Sequence, residues 1–405
     1  MKNKQVAPSL RFKKANGEDY PPWEQRELKE CLSFMKDGTH GSHSDASVGP
    51  LLLSAKNIKD GRLIIEEGKE RRICQNEFEK IHKNFHLQVN DILLTIVGTI
   101  GESTKLLNAA GITFQRSVAF LRTKDFIDPD YLNTYIKTED FQGALAQRKS
   151  TSAQPGIYLG DLASISISFP SMENQKKIGL FFGRLDELIT LHQRKVESVK
   201  KLKKSLLQKM FPKEGETVPA IRFPGFTDAW EQRAFGNIAI RLSSLSNKSD
   251  LPRVEYADII SGEGRLNKDI YAKERVKPGV EFKRGQVLYG KLRPYLQNWL
   301  LPTFSGIAVG DFWVLEPKKL DSQFLYYLIQ APTFSSISNL SVGTKMPRAD
   351  WKLISQASFR VPSFSEEQQK IGRFLSDLDS LITLHQRKVE TLKKLKKALL
   401  QRMFI

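Results

Sequence analysis

Cysteine is nearly absent from this 405-residue sequence. Cys31 and Cys74 are the only two, too few for a disulfide framework or a cysteine-rich zinc site, so both read as reduced packing residues. No histidine pair of the metalloprotease type occurs, and no metal is implied. No apolar run approaches the roughly 18 residues that span a bilayer. Met1-Lys-Asn-Lys-Gln5 lacks the apolar stretch of a signal peptide, which predicts a cytoplasmic chain with no membrane partner. Acidic residues are in deficit, 45 against 63 lysines and arginines, and the formal charge is +18. That balance favours a polyanionic partner such as nucleic acid.

The sequence contains one unit written twice. Residues 173–211 return at 366–404, shifted by 193 positions with 28 of 39 residues identical, and Leu188-Ile-Thr-Leu-His-Gln-Arg-Lys-Val-Glu197 recurs unchanged as Leu381 to Glu390. Self-similarity at long range fixes architecture before any local motif does. The lead-ins are copied too. Pro8-Ser-Leu-Arg-Phe12 followed by Trp23-Glu-Gln-Arg26 matches Pro219-Ala-Ile-Arg-Phe223 followed by Trp230-Glu-Gln-Arg233, with four extra residues in the first copy. The bodies between them are only weakly alike: Asp128-Pro-Asp-Tyr-Leu132 and Asp321-Ser-Gln-Phe-Leu325 keep the offset, and most other positions differ. Free drift would have touched the helical blocks as well. Matched surfaces fit two copies of one partner, whereas unmatched bodies fit two different targets.

Within the first block the apolar positions run Ile178, Phe182, Leu185, Ile189, His192, Val196, Val199, Leu206 and Met210, in steps of four and three interrupted at Lys203. The second repeats them as Ile371, Leu375, Leu378, Ile382, His385, Val389, Leu392, Leu399 and Met403. This spacing predicts a seam on one face of a long helix, as in a coiled coil. Ser365-Glu-Glu-Gln368 has capping-box spacing. A continuous 39-residue helix spans about 58 Å, which makes these rods, and a pseudo-twofold relation would pair them antiparallel. His192 and His385 fall on the seam, where a packed, hydrogen-bonded ring is the better reading than a ligand. Ten basic and four acidic residues in the first block, and nine and five in the second, place +10 of the +18 on the rods. The clusters Lys200, Lys201, Lys203, Lys204 and Lys393, Lys394, Lys396, Lys397 fit phosphate contact or a solvated face equally.

Each body reads as a compact α+β module. Strands are expected at Asp91–Val97, Ile165–Phe169 and Gln286–Tyr289, and helices over 131–147 and 324–331. The suggestive parts are glycine turns carrying polar or basic residues: Asp37-Gly-Thr-His-Gly-Ser-His43, Gly98-Thr-Ile-Gly101, Gly290-Lys-Leu-Arg-Pro-Tyr295 and Gly343-Thr-Lys-Met-Pro-Arg348. Such loops bring backbone amides and long side chains to phosphates and base edges, although each also reads as an ordinary turn. The candidate DNA-contacting residues are Thr39, His40, Ser42, Thr99 and Gln154 in the first body and Lys291, Arg293, Tyr295, Thr344, Lys345 and Arg348 in the second. The candidate partner-binding residues are Leu188, Leu191, Gln193 and Arg194 with their copies Leu381, Leu384, Gln386 and Arg387.

No catalytic residue is expected. Gly98-Thr-Ile-Gly101 lacks the Gly-Lys-Ser/Thr of a nucleotide-binding loop. Tyr20-Pro-Pro-Trp23 is near the Asn/Asp-Pro-Pro-aromatic signature of amino-methylating DNA methyltransferases, but tyrosine cannot accept the amine's hydrogen bonds in that geometry. No Phe-x-Gly-x-Gly loop precedes it, so Pro21-Pro22 reads as a turn.

Pro-Ser, then Glu-x-Gln-x-Lys-Ile, then Leu-Asp-x-Leu-Ile-Thr-Leu-His-Gln-Arg-Lys, seen at 170–195 and 362–388, resembles the helices of type I restriction-modification specificity subunits. Asp37-Gly-Thr-His40 and the two basic loops of the second body resemble stretches of that family's target-recognition domains. The resemblance implies an α+β chain with two globular target-recognition domains separated by two long antiparallel coiled-coil helices. Its parts would be a first target-recognition domain at 1–170, a central helix at 171–211, a second domain at 212–362 and a C-terminal helix at 363–405. It also implies a non-catalytic reader of double-stranded DNA. Each domain would read half of a split asymmetric site, and the helices would set the gap and hold two methyltransferase subunits. S-adenosylmethionine, ATP and magnesium would belong to those partners and to two motor-nuclease subunits, with no cofactor on this chain. Two alternatives remain, a self-sufficient adenine-N6 methyltransferase and a coiled-coil scaffold without a DNA role. The repeat adds a geometric expectation: the first block ends near Phe211 and the second lead-in starts by Pro219, while the second block ends at Phe404 and the first lead-in begins at Pro8, so the chain reads as a circle cut open and its two ends should be close in space.

Overall fold

The computed structural model describes residues 8–14, 16–150, 155–271, 277–340 and 345–404. It divides into two compact units, residues 1–192 with 388–405, and residues 193–387. Both rods form, as helices Met172–Lys209 and Ser365–Met403. Each contributes one part to each unit.

The seam is buried as its periodicity requires. In the first unit Ile178, Phe182, Leu185 and Ile189 share a core with Val389, Leu392, Leu399 and Met403. In the second, Val199, Leu206 and Met210 share one with Ile371, Leu375 and Leu378. His385 is buried and His192 half-buried, and both are engaged by neighbours. The interruption at Lys203 is where the pairing is set. Lys203 Nζ donates to both oxygens of Asp379, at 2.7 and 2.8 Å, and in the other unit Lys396 Nζ donates to Asp186 at 2.5 Å. Lys396 is the repeat copy of Lys203 and Asp379 that of Asp186, so one pair is made twice with the helices exchanging roles. In the first unit Asp186 with Lys396, and Phe182 against the Phe404 ring, place descending residues opposite ascending ones, an antiparallel pairing.

The repeated glutamine and glycine of each rod dock a body onto it. Gln175 accepts from the Asp128 N–H at 2.9 Å while its amide donates to Phe126 O and Pro170 O. Gln368 does the same for Asp321 and Pro362. Asp128 and Asp321 cap the helices Pro129–Tyr135 and Ser322–Leu328. The starts of these helices press so closely on the rods that a Cβ at Gly179 would lie 2.9 Å from Tyr131 N, and one at Gly372 3.0 Å from Phe324 N.

The lead-ins close each unit. Glu24–Glu27 pairs antiparallel with Ser166–Phe169, and Glu231–Ala234 with Ser358–Val361. Leu10 N–H donates to Arg402 O at 2.9 Å, so the first lead-in meets the end of the second rod, in line with the expected closeness of the two ends. The copy of that bond, Ile221 N–H to Lys209 O, is also 2.9 Å.

The bodies share a topology that their sequences conceal. The first has a four-stranded sheet in the spatial order Leu32–Asp37, Val118–Thr123, Ile92–Thr95, Ser103–Lys105. The second repeats it as Ala239–Leu242, Phe312–Pro317, Val287–Gly290, Trp299–Leu300. Each adds a parallel pair, Leu51–Leu53 beside Ile112–Phe114 and Arg253–Val254 beside Gly306–Ala308.

Three local expectations are corrected. The helix expected over 131–147 is two, ending at Tyr135 and restarting at Glu139, because the Thr138 hydroxyl turns to donate to Tyr135 O and caps the next helix. The one over 324–331 ends at Leu328, and a new helix starts on Pro332, which fits the first turn but not an interior. Ser365 lies inside the helix, not at its cap, since Gln368 is committed to Asp321 and Pro362.

Removing one member of a half-buried pair leaves the other's charge without its partner. Asp379→Ala should lower stability by about 2–3 kcal/mol, and Asp379→Leu combined with Lys203→Met should recover most of it. Urea unfolding of both variants checks this.

Candidate nucleic-acid interface

In the first unit the loop after strand Leu32–Asp37 is pinned to the sheet. Thr39 N–H donates to Phe114 O at 2.9 Å and Arg116 N–H to Thr39 O at 3.0 Å. Only glycine fits at 38, because a Cβ there would meet the Phe114 carbonyl oxygen at 2.2 Å. His40 is exposed and bonded through Nε2 to Asp37 at 2.6 Å. Ser42 is exposed, as is Thr99, two residues past Val97. His40, Asp37, Val97, Arg116, Ser150 and Tyr158 line a cleft of about 430 Å³, so the structure brings the His40 loop beside the 97–99 turn. Gln154 lies outside the described residues. Sequence reading missed Arg116 and Tyr158, which no local pattern marks; both are exposed at the loops' margin.

The second unit builds the equivalent place differently. A bridge between Leu292 and Arg348 matches that between Val97 and Gly156, which brings the two basic loops together. Arg293 holds a left-handed backbone with φ 47°, and Gln297 one with φ 56°. The pair tightens the turn Pro294–Leu296 and leaves the Arg293 and Tyr295 side chains exposed. Strained non-glycine residues of this kind concentrate at functional sites. Lys291 and Arg348 converge on Asp311, at 3.5 and 3.2 Å. Burial pushes the Asp311 carboxyl up, but its bonds to Arg348 and the charges of both cations more than reverse this and hold it below the usual range. Lys345 is exposed; Thr344 lies outside the described residues.

On the rods, Leu188, Leu191, Leu381 and Leu384 are 46, 47, 38 and 49% exposed, and Arg194 and Arg387 are exposed as well. Leu202 and Leu395, also copies of each other, are exposed to the same degree. The glutamines differ. Gln193 and Gln386 are half-buried, and Gln386 Nε2 donates to Glu263 Oε1 at 2.9 Å. Glu263 sits in the turn between Ile259–Ile260 and Arg265–Leu266 and also takes Lys200 at 3.0 Å and Arg265. Burial raises its carboxyl, but bonds from Arg265, Lys200 and Gln386 outweigh this and bring it down to about 2.

Among the described residues no group of three or more histidine, cysteine, aspartate or glutamate side chains is placed to hold a metal, and no helix is long and apolar enough to cross a membrane. Tyr20 is buried, accepting from Lys177 and donating to Glu173 at 2.8 Å, a structural role for the residue before the proline pair.

The type I restriction modification DNA specificity domain matches residues 52–201 and 297–394. The chain belongs to this specificity family. The type I restriction enzyme MjaVIII specificity subunit of Methanocaldococcus jannaschii is 23% identical over 96% of this chain and 94% of its own length. The type I restriction-modification S subunit from M. genitalium has the same fold, with TM-score 0.66 and 15% identity over 99% of both chains. A chain solved in work on complex assembly and conformational transition of the type I system gives TM-score 0.51 and 16% identity over 95% of this chain and 98% of that one. As in this specificity family, the two bodies are target-recognition domains carried by long antiparallel helices.

Two outcomes follow for the second domain. Arg293→Ala should weaken or relax DNA recognition by about 1–3 kcal/mol if its exposed guanidinium meets a base, read by competition binding. Glu263, lowered from 4.5 to about 2, contributes stability that is fully present above pH 4.5 and lost as pH falls toward 2. Glu263→Gln should flatten the acid limb of the stability profile measured by urea unfolding between those values.

Proposed function

We propose that this chain chooses the DNA sequence for an adenine-methylating type I complex and carries no active site of its own. The observation that carries this reading is the contrast within the repeat: identical exposed leucines on the rods, and two domains of one topology with differently built loops. Identical surfaces suit two identical methyltransferase subunits. Different loops suit the two halves of a bipartite, asymmetric site in double-stranded DNA. The rods then set the gap between halves. The domain limits that go with this reading are 1–170 and 212–362 for the readers and 171–211 and 363–405 for the rods.

The chemistry sits with partners in this reading. Methyltransferase subunits bring S-adenosylmethionine, and two motor-nuclease subunits bring ATP and magnesium, in the cytoplasm. The candidate contacts are Thr39, His40, Ser42, Thr99 and Gln154 in one reader, and Lys291, Arg293, Tyr295, Thr344, Lys345 and Arg348 in the other. Arg348 and Lys291 are held ready by Asp311, so a phosphate or guanine edge would compete with that carboxylate. Leu188, Leu191, Gln193 and Arg194, with their copies Leu381, Leu384, Gln386 and Arg387, form the docking surface, with the leucines and arginines outermost.

The complex of this chain with its methyltransferase should select a gapped two-part motif from a random DNA library. A contiguous motif, or none, would contradict the reading. Replacing residues 238–360 with the matching region of a relative should change one half of that motif, and a change in both halves would count against separate readers.

A further inference from the structure

The first domain contains a histidine-centred hydrogen-bonded series that the second domain, without histidine, cannot make. Four of the six histidines, His40, His43, His82 and His86, lie in this domain, and the second domain has none. The His43 side chain is 9% exposed. Its Nδ1 is 2.7 Å from Glu77 Oε1, and its Nε2 is 2.7 Å from Thr39 Oγ1. Arg71 secures the same residue by donating to His43 O at 2.7 Å. A hydroxyl, an imidazole and a carboxylate thus stand in line. Thr39 is the member beside exposed His40, in the loop that borders the cleft.

Hydrogen-bond chemistry gives each proton a direction. An ionised carboxylate only accepts, so the Nδ1 facing Glu77 carries a hydrogen. With the ring neutral, Nε2 is then bare and accepts from the Thr39 hydroxyl. In that state Thr39 spends its one hydrogen inward and offers only lone pairs outward. Gly41 N–H lies 3.4 Å from Oγ1 and takes one of them; the other remains.

We propose that Glu77 and His43 make Thr39 an acceptor-only contact, which selects an exocyclic amine in the major groove, adenine N6 or cytosine N4, at one position of the first reader's half-site. Guanine O6 and thymine O4 are acceptors in the same groove. Opposed to Thr39 they would leave two acceptors facing each other, so the contact rejects as well as selects. Thr39 touches the base, whereas His43 and Glu77 are positioning residues that act through it. The inference rests on the DNA-reading assignment above and deepens it by naming the base-edge chemistry.

The test uses the full chain assembled with its methyltransferase and selection from a random DNA library. Thr39→Val should relax one amine-bearing position of the first half about tenfold, the low end of what a good base contact discriminates, and leave every other position as it was. Thr39→Ser should keep the preference. Glu77→Ala, which frees the ring to take either tautomer, should weaken that same position. The ring 15N shifts of His43 in the full chain should show an unprotonated Nε2. A Thr39→Val motif identical to the parent overturns the inference. So does relaxation at a position that held guanine or thymine, uniform loss across the half-site, or a protonated Nε2. Should Glu77→Ala fail to fold, the Thr39→Val and Thr39→Ser pair decides alone. A parent complex that selects no motif would instead defeat the DNA-reading assignment, and this inference with it.

Discussion

The structure depends on two lysine–aspartate pairs set along a seam that is apolar apart from His192 and His385. Lys203 with Asp379 and Lys396 with Asp186 are one interaction made twice. A charged pair in such a seam contributes register more than stability, because sliding the helices by a turn would bury both charges unpaired. Neighbours reinforce each pair differently. Tyr327 donates to Asp379, and Lys203 also reaches Gln330. In the other unit a second lysine, Lys137, reaches Asp186 at 3.4 Å, and burial together with Lys396 beside it depresses the Lys137 ammonium. With register fixed, Gln175 and Gln368 fix where each domain docks, and docking fixes where its loops project.

Against that common frame the two units differ where the domains meet the rods. Glu367 is buried, held by Arg222 through two bonds at 2.7 and 2.9 Å and by the Trp230 indole at 3.2 Å. Its counterpart is Asn174, equally buried, while the copied arginine, Arg11, turns to Asp19. The turn Asp60–Gly61 of the first domain is lengthened to Ser261–Gly264 in the second, which lets Glu263 reach Lys200 and Gln386. Such changes alter how a reader is tethered without disturbing the seam. The conserved sheet order shows why the domains can diverge in sequence: backbone ladders hold it, and loop residues are then free to vary.

The sequence made the rods legible because a seam needs only periodicity, and periodicity is local. It also located the interruption at Lys203, but the meaning of that lysine depended on Asp379, which only the folded pairing brings near. The break at Thr138 was hidden because 131–147 is apolar at helical spacing on both sides of it. Of the candidate contacts, the loops at 37–43 and 290–295 were marked by glycine and polar or basic residues; His40, Ser42, Arg293 and Tyr295 reach exposed positions, while Thr39 and Lys291 are half-buried. Asp311, Arg116 and the partners of His43 were not legible, since sheet register assembles them from distant segments. Gln386 was grouped with its exposed neighbours by the repeat, although its amide turns inward to Glu263.

The claim that one chain joins two different readers through one repeated rod is tested most directly by the adenine methylome of a host carrying it, compared with a deletion of the chain. The account predicts N6-methyladenine at a single gapped, asymmetric two-part motif that disappears on deletion while other methylation persists. Methylation unchanged by the deletion, or lost from a contiguous site, would contradict it.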